Sequence, residues 1–126
     1  MSMLVDVFVD ERDARSLLLE YADMVDVEAL SSGQFQVSID DRVVNRWVFG
    51  RGGEAANSAL ERLLDAVGGL PGARIVIDRG VGSGVVVRQI ASGRSRLSGL
   101  ICDVFAGEAG YDCGVVEFTV VGEGAV

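Results

Sequence analysis

The spacing of apolar residues changes period several times along this chain, and each change marks an element. Met3 to Val9 (MLVDVFV) is apolar on both parities except at Asp6, which predicts a strand buried on both faces near the middle of a sheet. The one carboxylate in that strand then needs a buried partner, and an arginine is expected. Asp10 is placed to cap a helix from Glu11 to Val25, because its carboxylate can accept first-turn N–H groups, and Glu11 and Asp13 suit the positive helix end. Ala14, Leu17, Leu18, Tyr21, Ala22 and Val25 recur at i, i+3 and i+4 and form one apolar face. Val27 to Leu30 reads as a short strand ahead of the break at Ser31-Ser32-Gly33. Phe35, Val37 and Ile39 alternate with Gln34, Gln36 and Ser38, the signature of a strand with one wet face. Asp40-Asp41 makes a tight turn, and Val43 to Phe49 is predicted to return as the antiparallel partner.

The next segment carries the clearest helix. Glu54 to Val67 buries Ala56, Ala59, Leu60, Leu63, Leu64 and Val67, and Gly68 is expected to close it in the left-handed conformation. Pro71 prevents continuation, and Arg74 to Asp78 extends as a strand with Ile75 and Ile77 on one side. The order to this point, βαββαβ, resembles the split βαβ of ferredoxin-like domains. Three β-branched runs follow, Val85 to Ile90, Leu97 to Phe105 and Tyr111 to Val121, and predict a C-terminal β-meander. The fold class is therefore α+β: a two-layer sandwich with a mixed or antiparallel sheet and two helices on one face. A length of 126 residues suits a single domain spanning 1–126. A sheet of this size must hide its edges, so a homodimer formed by edge pairing is one expected solution.

Charge changes the picture more than composition does. The chain has no Lys and no His, so all 11 positive charges are arginine. Without His it lacks the side chain most used for general base chemistry near neutral pH and the commonest transition-metal ligand, which argues against an enzyme and against a metal site. The first 41 residues hold ten of the 19 acids and two of the 11 arginines, and that difference is the whole net charge of −8. Such a field repels phosphate backbones and steers basic partners inward, so no nucleic acid is expected to bind. No apolar run reaches the length of a membrane span, and the N-terminus has no basic leader pattern, so neither a span nor a signal peptide is read and a cytoplasmic location is expected.

Four constellations carry candidate chemistry. Arg51-Gly52-Gly53-Glu54 opens a helix, where free N–H groups can hold an anion, although Glu54 would compete and a plain strand-to-helix turn is the simpler reading. Arg79-Gly80-Val81-Gly82-Ser83-Gly84 resembles the R-x-x-G-x-G/A pyrophosphate loop of the GNAT acetyltransferases, and that resemblance implies a helix beginning near Ser83 and an acyl-CoA ligand. Val85-Val86-Val87 disfavours such a helix. Arg74, Arg79, Arg88, Arg94 and Arg96 lie within a stretch whose one acid is Asp78, so Arg79, Arg88, Arg94 and Arg96 are candidate anion-binding residues. Cys102 and Cys113 are expected to face each other across a hairpin as two buried, reduced thiols.

These features favour a non-enzymatic, acidic protein-binding module, in concrete form an immunity-protein-like or antitoxin-like inhibitor of a basic protein partner. Its candidate contacts are Asp13, Glu20, Asp23, Asp26 and Glu28, with Trp47 or Tyr21 as anchors where they are exposed rather than in the core. The alternative is a ferredoxin-like ligand-sensing or regulatory domain that binds a small anion through the Arg/Gly-rich 79–96 region, with a GNAT-like acyltransferase behind it. No catalytic residue, metal ligand or cofactor is assigned by any of these patterns.

Overall fold

Ten elements form in the computed structural model, which describes residues 3–93, 96–108 and 110–122. Strand β1 (Leu4–Val9) is followed by helix α1 (Glu11–Tyr21), β2 (Val25–Ala29), β3 (Phe35–Ile39), α2 (Asp41–Val48), α3 (Glu54–Gly68), β4 (Arg74–Asp78), β5 (Val85–Ala91), α4 (Leu97–Ala106) and β6 (Val115–Val121). Asp10 caps α1 as its sequence implies, accepting the Asp13 N–H at 2.8 Å. The helix stops four residues earlier than its apolar stripe suggests, since Val25 belongs to β2 and pairs with Ile39. Helix α3 runs through Gly68 and closes at Gly69 with an ordinary negative φ; the left-handed glycine of that turn is Gly72.

Two expected strands are helices. Val43 to Val48 falls in α2 and Phe49 is its C-cap, because Asp40 follows β3 and turns its carboxylate onto the Arg42 N–H at 2.9 Å as a helix cap. Val43, Val44, Trp47 and Val48 then share one helical face, of which Val44 is fully in the core. Asn45 locks this helix to the chain before β1: its Oδ1 accepts the Met3 N–H at 2.9 Å and its Nδ2 donates to the Met3 carbonyl at 3.1 Å. Leu97 to Phe105 likewise coils into α4, where Leu97, Ile101 and Val104 sit at helical spacing and are all buried. Gly107 closes α4 at φ 71°. The last expected strand shortens to β6.

The six strands form one sheet in the order β2-β3-β1-β4-β6-β5. β1 pairs antiparallel with both β3 and β4, and β2 antiparallel with β3. Strands β1 and β2 therefore run parallel with β3 between them, which is the split βαβ arrangement, made from β2 and β3 rather than from β3 and a strand at 43–49. β6 pairs antiparallel with β4, and β5 pairs parallel with β6 along Val85–Ala91 and Val115–Val121. A parallel pair cannot be a meander; α4 is the crossover between its strands. The outcome is an α+β fold with a mixed sheet and four helices, two more than expected.

Burial alternates along the central strands. Val5, Val7, Val9, Val37, Ile75, Ile77, Val116, Phe118 and Val120 point to one face and join a single core with Leu17, Val44, Leu60, Leu63, Leu64, Ile101 and Val104 of the helices. Leu4, Asp6, Phe8, Gln36, Ser38, Val76, Glu117 and Thr119 point to the other face and stay exposed or half-buried. Strand β1 is central but covered on one side only, and Asp6 is half-exposed on the bare side. Among the described residues no ion pair includes Asp6, so the buried arginine partner expected for it is not formed; solvent access removes the need for one.

The Asp40 cap has a pH signature. Its hydrogen bonds from the Arg42 side chain and backbone hold its carboxyl below the ordinary value of 3.8, so its contribution to stability is complete above that value and is lost as the pH falls through the lowered one. Replacing Asp40 by Ala should cost about 1 kcal/mol of stability at neutral pH. Urea unfolding of Asp40→Asn between about pH 5 and pH 2 should show a shallower acid loss than the parent. In the core, Leu63→Ala should cost about 2–5 kcal/mol by the same measurement.

Candidate functional site

The register of the strands arranges the bare face in rows. One row runs Asp26, Ser38, Asp6, Val76, Glu117 and Val87 across all six strands, and the next runs Glu28, Gln36, Phe8, Arg74, Thr119 and Gln89. Asp26 and Asp6 flank Ser38, so their Cα atoms lie two strand spacings apart, roughly 10 Å. Gln36 donates to the Ser38 hydroxyl at 3.3 Å, which ties the two rows together between the acids.

At the β3–α2 corner this face deepens into an open groove of about 590 Å3 lined by Asp6, Asp26, Gln36, Ser38, Asp40, Asp41 and Arg42, with Leu4 and Ile39 in its walls. The same local event that converts the expected tight turn into a helix cap delivers two of its carboxylates. Arg42 is the groove's one cation among the described residues, and its guanidinium folds back onto Asp40 at 3.3 Å. Asp6, Asp26 and Asp41 lack a salt bridge among the described residues. The groove is thus an open, acidic surface with amide and hydroxyl groups between the charges.

Arg74 bounds the acidic half. Its guanidinium lies 4.3 Å from the centre of the Phe8 ring and 2.9 Å from the Glu117 carboxylate, so its charge is neutralised in place. Beyond it, Val76, Val115, Val85 and Val87 set an aliphatic patch among Asp78, Glu117, Thr119 and Gln89.

The five predicted partner contacts separate onto two surfaces. Asp26 and Glu28 lie on the bare sheet face, on edge strand β2. Asp13, Glu20 and Asp23 lie in the helical layer. Burial first, and the nearby Asp10 charge second, push the Asp13 carboxyl above its ordinary value. Glu20 and Asp23 line a second cleft, about 670 Å3, between α1 and α3, whose walls include Met24, Val43, Ala56 and Ala59. Tyr21 is buried, and burial raises its phenol above the ordinary value; Trp47 is half-buried against the core. Neither is a free anchor. The groove residues Asp6, Asp40 and Asp41 were missing from the expected contacts because only the pairing of β1 with β3 brings residue 6 beside residue 38.

The arginines of 79–96 spread around the β5 side. Arg79 donates to the Cys113 carbonyl at 2.7 Å and packs near Gly107, so it braces the α4–β6 loop. Arg88 is exposed on β5 and reaches toward Gly110 of the same loop. Arg96 precedes α4, with its guanidinium 3.8 Å from Asp65 of α3. Arg94 lies outside the described residues. The glycines of 79–84 take positive φ and lead into β5, so the helix start that a GNAT-type loop uses is absent there. At Arg51-Gly52-Gly53-Glu54 the Asn57 side chain fills the turn, donating to the Gly52 carbonyl at 3.3 Å and occupying the space a Cβ on Gly52 would take.

Among the described residues no cluster of three or more His, Cys, Asp or Glu is placed to hold a metal ion, and no helix is long and apolar enough to cross a membrane. Neither a known protein family, a curated protein nor a solved structure matches the chain.

The cysteines depart from their expected pairing, since α4 is a helix: Cys102 is exposed on it, and Cys113 is buried with its thiol against the Val115 carbonyl at 3.2 Å. Both are free thiols. Local burial, then Asp103 and Glu61, push the Cys102 thiol above its ordinary value of 9.0. A thiol-reactive chromogen should therefore modify one cysteine in the folded protein and two in denaturant. The native reaction should be slow at pH 7 and accelerate as the pH rises beyond the ordinary thiol value.

Proposed function

We propose that the protein is a non-enzymatic binding module that presents the acidic half of its bare sheet face to a basic protein partner, in the manner of an immunity protein or antitoxin-like inhibitor acting in the cytoplasm. The observation that carries this reading is the convergence of Asp6, Asp26, Asp40 and Asp41 on one open groove whose cation, Arg42, is already engaged by Asp40. Glu28 extends the same charge along β2. An arginine or lysine of the partner entering the groove would find carboxylates with Gln36 and Ser38 to complete its hydrogen bonds. The field of these acids raises the association rate and rejects acidic competitors, while the valine patch beyond Arg74 offers area for apolar contact. The acids of α1 then act at long range rather than as contacts.

A second reading keeps one observation. Arg79 and Arg88 approach the same α4–β6 loop, so a ligand-sensing domain would use them to grip a small anion there. A saturating anion at about 100 times its dissociation constant would add roughly 2.7 kcal/mol of stability in a thermal-shift screen.

The leading reading is tested with a partner purified on the immobilised protein from its source cell. Its association rate should fall on the order of tenfold or more between low and high salt. Asp26→Lys combined with Glu28→Lys should slow association and weaken the complex, whereas Glu20→Lys should slow it only modestly. Salt-independent association, or full binding by the Asp26/Glu28 variant, would overturn the proposal.

A further inference from the structure

We propose that β5 is a self-association edge, through which two copies of the chain pair antiparallel and join their six-stranded sheets into one. The two edges of the sheet are built differently. Strand β2 is five residues long and carries Asp26 and Glu28 on its bare face, which is how natural sheets discourage pairing. Strand β5 is seven residues long, VVVRQIA, without proline or acid, and all seven residues stay in register with β6. It has none of the usual protections except Arg88.

The backbone groups it leaves free can be assigned. The Val115 N–H bonds the Gly84 carbonyl and the Ser92 N–H bonds the Val121 carbonyl, so the even-numbered residues of this stretch face β6. The N–H and C=O of one strand residue point the same way, and successive residues alternate. Val85, Val87 and Gln89 therefore direct their amides and carbonyls away from the sheet. The Val87 carbonyl confirms this, since it accepts the guanidinium of its own neighbour Arg88 at 3.3 Å. The side chains of Val85 and Val87 are 64% and 55% exposed on the bare face.

Charge selects a second copy as the occupant and this edge as the place. The net −8 lies entirely in residues 1–41, and the remainder of the chain is neutral. The strand order sets the acidic β2 five strand spacings from β5, on the order of 24 Å, which is well beyond the ~8 Å screening length at physiological salt. Pairing through β5 keeps the two acidic regions at opposite ends of the joined sheet; pairing through β2 would press them together. Among registers, a two-fold axis at Arg88 would set two guanidinium groups directly opposite. An axis at Val87 instead sets Val87 against the second copy's Val87 and Val85 against the second copy's Gln89. The exposed valines then cover one another, and the acidic groove on the far half of each sheet stays open.

The test is light scattering on the intact chain after gel filtration, at roughly 200 µM and in dilution. The expected mass is about twice the 13.3 kDa of one chain, falling on dilution. Val87→Pro should return a folded monomer, because the N–H it removes is unpaired in the single chain. Val85→Lys with Val87→Lys should do the same by charge and decides the matter if the proline variant unfolds, as judged by circular dichroism. Glu28→Lys should leave the dimer intact. A parent that stays monomeric at 200 µM, a dimer that survives the double lysine variant, or one lost in Glu28→Lys would each overturn the proposal.

Discussion

One-sided coverage of the sheet is the constraint on which the other features depend. Strand β1 is paired on both sides, and its Val5, Val7 and Val9 bury against helices on a single face. All four helices contribute buried residues to the core that the inner face of the sheet builds. Helix α2 lies over the start of β1 and is held there by Asn45, which satisfies both backbone groups of Met3. Helix α4 packs beside α3 and contributes Leu97, Ile101 and Val104 to the same core. Each is a segment whose composition suits a strand, and each instead turns apolar residues at helical spacing toward the core.

The uncovered face carries the consequences. One half holds carboxylates whose separation is set by the strand register, and the other holds an exposed patch with Val85 and Val87 among polar residues. Arg74 divides the two halves, stacked on Phe8 and paired with Glu117. With that cation paired, the acidic field near the groove is little diminished by Arg74, the one arginine on the bare sheet face among the described residues. The division leaves two separate features on one small domain: the acidic rows of β2–β3–β1 and the outer backbone edge of β5.

The split of the predicted acidic contacts follows from the same geometry. Asp23 and Asp26 are three residues apart, yet one lies in the helical layer and the other on the bare sheet face, because the chain turns from α1 into β2 between them. Conversely, Asp6 and Asp26 are far apart in sequence but flank the same serine. Charge counting along the chain located the acidic excess correctly in the first third, but only strand pairing shows which of those carboxylates share a surface.

Local pattern was sufficient to locate β1, α1, β3, α3, β4 and β5, although it expected β1 to be buried on both faces and ran α1 four residues too far. It failed at Asp41–Val48 and Leu97–Ala106, whose apolar residues fit a strand and a helix alike; the choice fell to long-range contacts such as Asn45 with Met3 and Ile101 within the core. The sequence by itself determined the α+β class, the acidic first third and the absence of histidine chemistry, because these are local or summed properties of the residues. The tertiary structure alone decided that one sheet face is bare, that Asp6, Asp26, Asp40 and Asp41 meet there, and that β5 ends the sheet, because each depends on which distant segments pair, and pairing is settled by the burial of the whole core at once.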